Sequence, residues 1–115
     1  MRRYIVLYHA SQSAVETTTN MTPEEMKKGM DAWMAWARSC GDSLVDIGTP
    51  LGDGRRMTGA GSAPNESDVM GYSILEAESL GEAQALLADH PHLEWAAGCE
   101  VEVREMMPMP DMSGS

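Results

Sequence analysis

The segment GYSILEAESLGEAQALLADHPHL, residues 71–93, contains a strand, a helix and the turn after that helix, and it decides the fold. Residues 71–77 are mostly apolar, which predicts a buried strand. Ser79 and Glu82 then form the S-x-x-E pattern of a capping box, so a helix begins at this point. Pro91 prevents the helix from continuing past the preceding residue. The segment therefore places His90 on the apolar face of a helix and His92 in the exit turn.

The first half of the chain predicts a strand and a longer helix. Residues 3–9, RYIVLYH, are apolar on both faces, as in a central strand. Residues 10–20 are polar without periodicity, and we interpret them as a loop. The T-P-E-E sequence at 22–25 predicts a helix that starts at Pro23, ends near Ser39 and stops at Gly41. Its predicted buried stripe consists of Met26, Met30, Trp33, Met34, Ala37 and Cys40, with Trp36 at the margin.

The second half supplies the remaining strands. Residues 44–47, LVDI, predict a short second strand with Asp46 on the face opposite to its apolar neighbours. Residues 51–68 are rich in Gly, Pro, Ser and Asn, so we expect irregular structure, with a tight turn at 53–54 and a short return strand at 55–58. Residues 99–105, CEVEVRE, alternate cleanly and predict the last strand.

The order β-α-β-β-α-β predicts a ferredoxin-like α+β fold over residues 1–106, followed by a tail over 107–115. In that fold two helices cover one face of a four-stranded antiparallel sheet, with the first and third strands in the centre. Those two strands are the ones that are apolar on both faces, so the uncovered face would expose apolar side chains. We therefore expect a homodimer, packed sheet to sheet as a dimeric α/β barrel.

Composition limits the partners of this chain. It has 115 residues, and 8 basic against 18 acidic residues give a formal net charge of −10. This charge repels phosphate backbones and anionic lipid head groups, so we expect no nucleic-acid partner and no membrane partner. The sequence has no apolar run long enough to span a bilayer, and the apolar residues 5–8 after Met1-Arg2-Arg3 are too few for the h-region of a signal peptide, so we expect a cytoplasmic protein. Cys40 and Cys99 are far apart in sequence, which favours two buried thiols over a redox pair.

Several phrases together resemble the YCII-related domain family: YIVLYH, AWMAWA followed by GDSLVDIGTPLG, GYSILEA, HPHL and EVEVRE. The resemblance spans nearly the whole chain and implies a dimeric α+β barrel, with no agreed activity. Some members are credited with an acid–base pair, a histidine on the first helix beside an aspartate just after the first strand. Neither residue is present at those places here, so that pair is not carried over.

Three residues are candidates for acid–base chemistry. His9 lies at the rim end of the first strand and could act as a base at neutral pH, although a hydrogen-bonded rim histidine is the simpler interpretation. Asp46 could transfer protons if its face of the sheet is buried, and is simply hydrated if it is not. His92 could act on a ligand or could cap the preceding helix. His90 and His92 with Glu94 make a weak metal pattern, and we expect no metal.

Trp33, Trp36 and Tyr72 are the candidate ligand-binding residues, since two indoles and a phenol could form the wall of an apolar pocket between the first helix and the sheet. The alternative is that all three only pack in the core. No nucleotide-binding or hydrolase motif is present, and we expect no cofactor. Two classes of function follow: a small-ligand binding protein, which we favour, or a cofactor-independent enzyme. A carboxylate near His9 or His92, together with a cavity that touches them, would support the enzyme.

Overall fold

A computed structural model describes residues 1–52, 54–64, 68–96 and 98–108 of the chain, and four strands form its main antiparallel sheet. These strands are β1 (Arg2–Ala10), β2 (Leu44–Asp46), β5 (Val69–Ala77) and β6 (Cys99–Glu105), while β3 (Arg55–Thr58) and β4 (Gly61–Pro64) form a separate hairpin. The helices are α1 (Gln12–Thr19), α2 (Pro23–Cys40), α3 (Leu80–Leu87) and the short α4 (His92–Trp95).

The sheet order β2-β5-β1-β6 confirms the predicted topology, with the first and third strands of the ferredoxin-like plan in the centre. β1 pairs antiparallel with both β5 and β6, so that Val6 lies opposite Ser73 on one side and Val103 on the other. β1 is therefore a central strand, paired along both of its edges, as its apolar sequence predicts. The protein is therefore an α+β domain of the ferredoxin-like type.

The core lies between one face of the sheet and the helices. Side chains of alternate residues on β1 and β5 are buried there, and they meet Trp36 and Cys40 of α2 and Leu87 of α3. The opposite face, called the open face below, carries four half-buried apolar side chains, Ile5, Leu7, Tyr72 and Ile74. This alternation follows from the two-residue period of a strand. The predicted asymmetry between the two faces is present.

The prediction of a loop at residues 10–20 is wrong, because α1 occupies residues 12–19. The Ser11 side chain accepts a hydrogen bond from the Ala14 N–H and caps this helix. The hydroxyls of Thr17, Thr18 and Thr19 each donate to a backbone carbonyl four residues earlier. These bonds satisfy the hydrogen-bond donors of the polar side chains within the helix. Only Ala14 is buried, so the helix has almost no apolar stripe to reveal it.

The start and end of α2 agree with prediction, but its buried side does not. Thr22 and Glu25 form the capping box, and Gly41 adopts a positive φ of 56° after the last turn. Met26 and Met30, which were expected in the core, are 52% and 61% exposed, whereas Trp36 is only 6% exposed. The Trp36 Nε1–H donates to the Leu86 carbonyl at 2.9 Å, so α2 turns this indole toward α3 and the first half of the helix faces a cavity.

The second predicted helix is shorter than expected. It ends at Leu87, so His90 is in the exit turn and not on a helix face, although it is almost fully buried. The His90 Nδ1 accepts a hydrogen bond from the His92 N–H at 3.0 Å, and this bond stabilises the turn in place of a further helical turn. The predicted return strand at 55–58 is confirmed, and its partner β4 was not predicted.

Some predictions fall on residues outside the described ranges. Asp53 of the predicted tight turn is one, and residues 109–115, most of the predicted tail, are the others. Within the described ranges, none of the helices combines the length and the apolar character needed to cross a bilayer.

Candidate functional site: an aromatic cavity under α2

A cavity of about 550 Å³ lies on the helix side of the sheet, between α2, the ends of β1 and β5, and the chain that follows β2. That volume is in the range of small-molecule sites. The residues that line it are Tyr8, Ala10, Val15, Thr18, Met26, Gly29, Met30, Trp33, Ile47, Gly48, Thr49, Pro50, Met70, Gly71, Tyr72, Pro91, His92, Trp95 and Cys99. None of these described lining residues is a lysine, an arginine, an aspartate or a glutamate.

Trp95 forms one wall, and it was not predicted as a site residue. Its Nε1–H donates to the Thr18 hydroxyl at 2.9 Å, which joins α4 to α1. Its six-membered ring lies directly on Gly29, where a Cβ atom would be only 2.1 Å from the Trp95 Cζ3. A glycine inside a helix costs stability relative to alanine, so Gly29 was a signal of close approach that could have been recognised.

His92 is the histidine that borders the cavity. Its Nε2 lies 2.8 Å from the His9 carbonyl oxygen, and because a carbonyl only accepts, Nε2 carries the proton. Burial lowers the pKa of His92 below its usual value, and the hydrogen bond to the His9 carbonyl opposes this only in part. The ring is therefore neutral at pH 7, with a lone pair on Nδ1. No described residue hydrogen-bonds that Nδ1 atom, so it is available to a ligand.

His90 is buried next to His92 and packs in the core. Its ring centroid is 4.4 Å from that of Trp33 and 4.2 Å from that of Trp36, inside a group of aromatic side chains. Burial, with a smaller contribution from the nearby His92, lowers the pKa of His90 to about 3. His90 is thus a neutral core histidine that orients His92 through its Nδ1.

Tyr8 contributes a ring to the cavity but not a reactive hydroxyl. The Ser73 hydroxyl donates to the Ile47 carbonyl at 2.7 Å, so the Tyr8 hydroxyl must donate its own proton to Ser73, also at 2.7 Å. Burial raises the pKa of Tyr8 to about 12. Tyr8 therefore remains protonated and serves as an oriented aromatic wall.

His9 lies on the other side of the sheet, because consecutive side chains of a strand point to opposite faces. On the open face its Nδ1 is 2.6 Å from an Asp68 oxygen and its Nε2 is 2.8 Å from a Glu102 oxygen. Carboxylates accept hydrogen bonds, so both ring nitrogens carry protons and His9 is an imidazolium cation. The bond to Asp68 raises the pKa of His9, and in return it lowers the pKa of Asp68. No ring nitrogen of His9 is left to act as a base.

Glu102 also pairs with Arg104 on the same strand, and this pair, followed by His9, lowers the pKa of the Glu102 carboxyl. The register could have indicated the contact with His9. Leu7 lies opposite Glu102, so a histidine two residues along β1 is a diagonal neighbour on the same face. The contact of Asp68 with His9 could not be predicted from strand register, because Asp68 lies before β5 in a region whose sequence predicts irregular structure.

The two features that would support an enzyme are therefore divided between two histidines. His9 has carboxylate partners but faces away from the cavity, and His92 borders the cavity but is oriented by a backbone carbonyl. Asp46 joins neither group: it is exposed, and its Oδ1 accepts the Gly48 N–H at 2.8 Å in a tight turn.

The three predicted aromatic residues are also separated by the structure. Trp33 borders the cavity, and its ring makes an edge contact with Tyr8 at a centroid distance of 4.8 Å. Trp36 lies in the core and does not line the cavity. Tyr72 lines it, but strand alternation directs its side chain to the open face, so its backbone forms that part of the wall. Over the described residues, no group of three or more His, Cys, Asp or Glu side chains could hold a metal ion.

The fold and the cavity define this protein as a ferredoxin-like α+β domain with a ring-lined pocket between a helix and the sheet. A family profile, that of the YCII-related domain, matches residues 1–107. The chain belongs to the YCII-related domain family. A comparison with curated protein sequences gives no match.

Among solved structures, the chain is similar to 5-chloro-2-hydroxyhydroquinone dehydrochlorinase from Burkholderia phenoliruptrix AC1100, in complex with 2,5-dihydroxybenzoquinone. The TM-score is 0.51 and the sequences are 17% identical, over 87% of this chain and 90% of the other. At this identity the similarity concerns the fold.

Proposed function

We propose that this protein binds a small organic molecule in the cavity between α2 and the sheet. The observation that carries the proposal is the cavity itself: about 550 Å³, with the rings of Tyr8, Trp33, His92 and Trp95 at its walls. Large apolar pockets with a few polar atoms are the usual form of small-molecule sites. The dehydrochlorinase of similar fold holds a ring-sized molecule in its own structure, which is consistent with such a use of the fold.

The experiment compares a variant that fills the cavity with one that does not. Ala10→Leu adds carbon atoms at a cavity wall, whereas Ala85→Leu adds the same atoms on the exposed side of α3. Thermal unfolding is followed with a panel of ring-sized compounds, and native mass spectrometry detects molecules that copurify with the protein. Ligands should raise the melting temperature of the wild type and of Ala85→Leu, but not that of Ala10→Leu. The absence of any copurified molecule and of any ligand-induced shift in the wild type would contradict the proposal.

A second candidate is an enzyme that uses acid–base chemistry without a cofactor. The geometry of His92 favours it, because Nε2 is held by the His9 carbonyl and the unprotonated Nδ1 is free beside the cavity. A neutral imidazole in this state can accept a proton from a bound substrate. His9 is a positioning residue in this scheme, since it acts through its carbonyl. Catalysed exchange of a ligand C–H proton for solvent deuterium, lost in His92→Gln, would distinguish the enzyme from the binding protein.

We also propose that the protein is a homodimer in which two open faces pack together. The support is the group of apolar side chains on that face, Ile5, Leu7, Tyr72 and Ile74. Burial of apolar surface contributes about 25 cal/mol per Å², so burial of several hundred Å² favours association. Sedimentation at micromolar concentration tests this, and a stable monomer would refute it. Both cysteines are free thiols, which fits the proposed cytoplasmic location.

A further inference from the structure

The chemistry of the cavity walls restricts the ligand beyond the proposed function, on which this inference rests. The described lining residues include no charged side chain, and the whole chain carries a formal charge of −10. A carboxylate or a phosphate entering the cavity would lose its hydration without meeting a cation. An ammonium group would likewise find no carboxylate there. Because an unpaired charge is costly to bury, the cavity favours an uncharged molecule.

The walls also restrict the shape. Trp95 is fixed between the Thr18 hydroxyl and the backbone of Gly29, so its ring cannot rotate freely. Trp33 and His92 are held near Tyr8, with centroid distances of 4.8 Å and 5.3 Å to the Tyr8 ring. Fixed aromatic walls accommodate a flat ring through stacked or edge contacts. The cavity therefore suits a ring-sized molecule.

The polar atoms at the cavity are mostly occupied. Tyr8 donates to Ser73, and the Trp95 N–H donates to Thr18, whose own hydroxyl donates to the Ala14 carbonyl. Among the cavity-lining side chains on the helix side, three nitrogen and oxygen atoms have no hydrogen-bond partner in the described part of the chain: His92 Nδ1, Trp33 Nε1 and Thr49 Oγ1. Trp33 Nε1 only donates and His92 Nδ1, in its neutral ring, only accepts. Thr49 is exposed at the rim.

We infer that the ligand is an uncharged, ring-sized molecule with a hydroxyl group, and that His92 Nδ1 accepts the hydrogen bond from that hydroxyl. A hydroxyl is the group that satisfies both remaining side chains, because it can donate to His92 and accept from Trp33. The proton on His92 Nε2, held by the His9 carbonyl, keeps Nδ1 available as an acceptor. Burial lowers the pKa of His92 and maintains this state at neutral pH. The other titratable side chains around the ring are Tyr8 and His90, with the His9 imidazolium beyond the sheet.

The test uses three probes of nearly equal size: phenol, its methyl ether anisole, and benzoate. Dissociation constants are measured by NMR titration of the labelled wild-type protein at pH 7.5. Phenol should bind more tightly than anisole by about 2-fold to 10-fold, which corresponds to one hydrogen bond. Benzoate should not bind in the same concentration range. His92→Phe keeps an aromatic ring and should remove the preference for phenol, while Ala85→Leu should retain it.

A second measurement uses the wild-type protein alone, so it does not require a variant. In wild-type protein, phenol should shift the ¹⁵N resonance of His92 Nδ1 and leave the ring resonances of His9 unchanged, since His9 faces the other side of the sheet. Equal binding of phenol and anisole, or no shift at His92 Nδ1, would overturn the inference and leave the proposed binding function intact. Binding of benzoate as tight as that of phenol would also overturn it. If no probe binds at all, the inference is overturned, and the compound panel with native mass spectrometry decides the proposed binding function separately.

Discussion

Replacing Gly29 with alanine should abolish ligand binding while leaving the stability of the fold almost unchanged. The added methyl would lie 2.1 Å from Cζ3 and 2.3 Å from Cη2 of Trp95. Carbon atoms prefer separations of about 3.5 Å or more, so the indole must move by about 1.4 Å. Because Trp95 is a wall of the cavity, this shift changes the shape of the site.

The expected change in stability is small because two effects oppose each other. Alanine in a helix interior is favoured over glycine by about 1 kcal/mol. Against this, movement of the indole breaks the 2.9 Å bond from Trp95 to the Thr18 hydroxyl, whose net value is about 0.5–1.5 kcal/mol. The free energy of unfolding should therefore change by less than about 1 kcal/mol.

Urea unfolding measures the stability, and tryptophan emission together with a ligand titration measures the site. Gly81→Ala is the matched control, since the nearest atom to its Cβ is Ser79 Oγ at 3.8 Å. The control should be slightly stabilised and should bind ligand normally. If Gly29→Ala gains the full helical stabilisation and still binds ligand with wild-type affinity, then Trp95 is not a fixed wall of the cavity.

Three further predictions concern the rest of the molecule. Leu7→Asp should convert the dimer to a monomer in sedimentation, because it places a charge in the open face. Met57→Asp, on the exposed hairpin of β3 and β4, should leave the dimer unchanged. A dimeric Leu7→Asp would contradict the proposed packing of the two open faces. The pKa of His90 is lowered to about 3, so the folded state binds fewer protons than the unfolded state between about pH 6.5 and 3. Stability therefore falls as the pH falls through this range. His90→Gln lacks this titrating group, so it should unfold at a lower pH than the wild type, as followed by circular dichroism. The pKa of His9 is raised, so the contribution of His9 to folding stability is present below about pH 6.5 and is lost as the pH rises through the pKa of the folded state. Asp68→Asn should lower the His9 pKa in an NMR titration. An unchanged His9 pKa would show that the pair of His9 and Asp68 does not form in solution.

The architecture was predictable because its signals are local. The two-sided apolar character of residues 3–9 and 71–77, the capping box at Thr22 and the strict alternation of 99–105 all reflect short-range periodicity. The topology follows from those elements with little freedom. Trp33 was also predictable as a cavity residue from its position on the helix.

The site was less predictable because tertiary contacts determine it. α1 is stabilised by threonine hydroxyls that bond to the backbone, and such bonds leave no hydrophobic pattern. Trp95 reaches the cavity only because Gly29 leaves room for its ring. Strand alternation places His9 on the open face, but the bond that holds His92 to the His9 carbonyl on the cavity side has no signal in the sequence.

NMR chemical-shift mapping on the wild-type protein locates a bound ligand and so tests binding in the cavity under α2 most directly. Phenol, or any compound that raises the melting temperature, is titrated into the labelled protein. The largest shifts should occur at the indole N–H groups of Trp33 and Trp95 and at His92, since these residues line the cavity. Shifts concentrated instead on the open face, at Leu7 and Ile74, would contradict it.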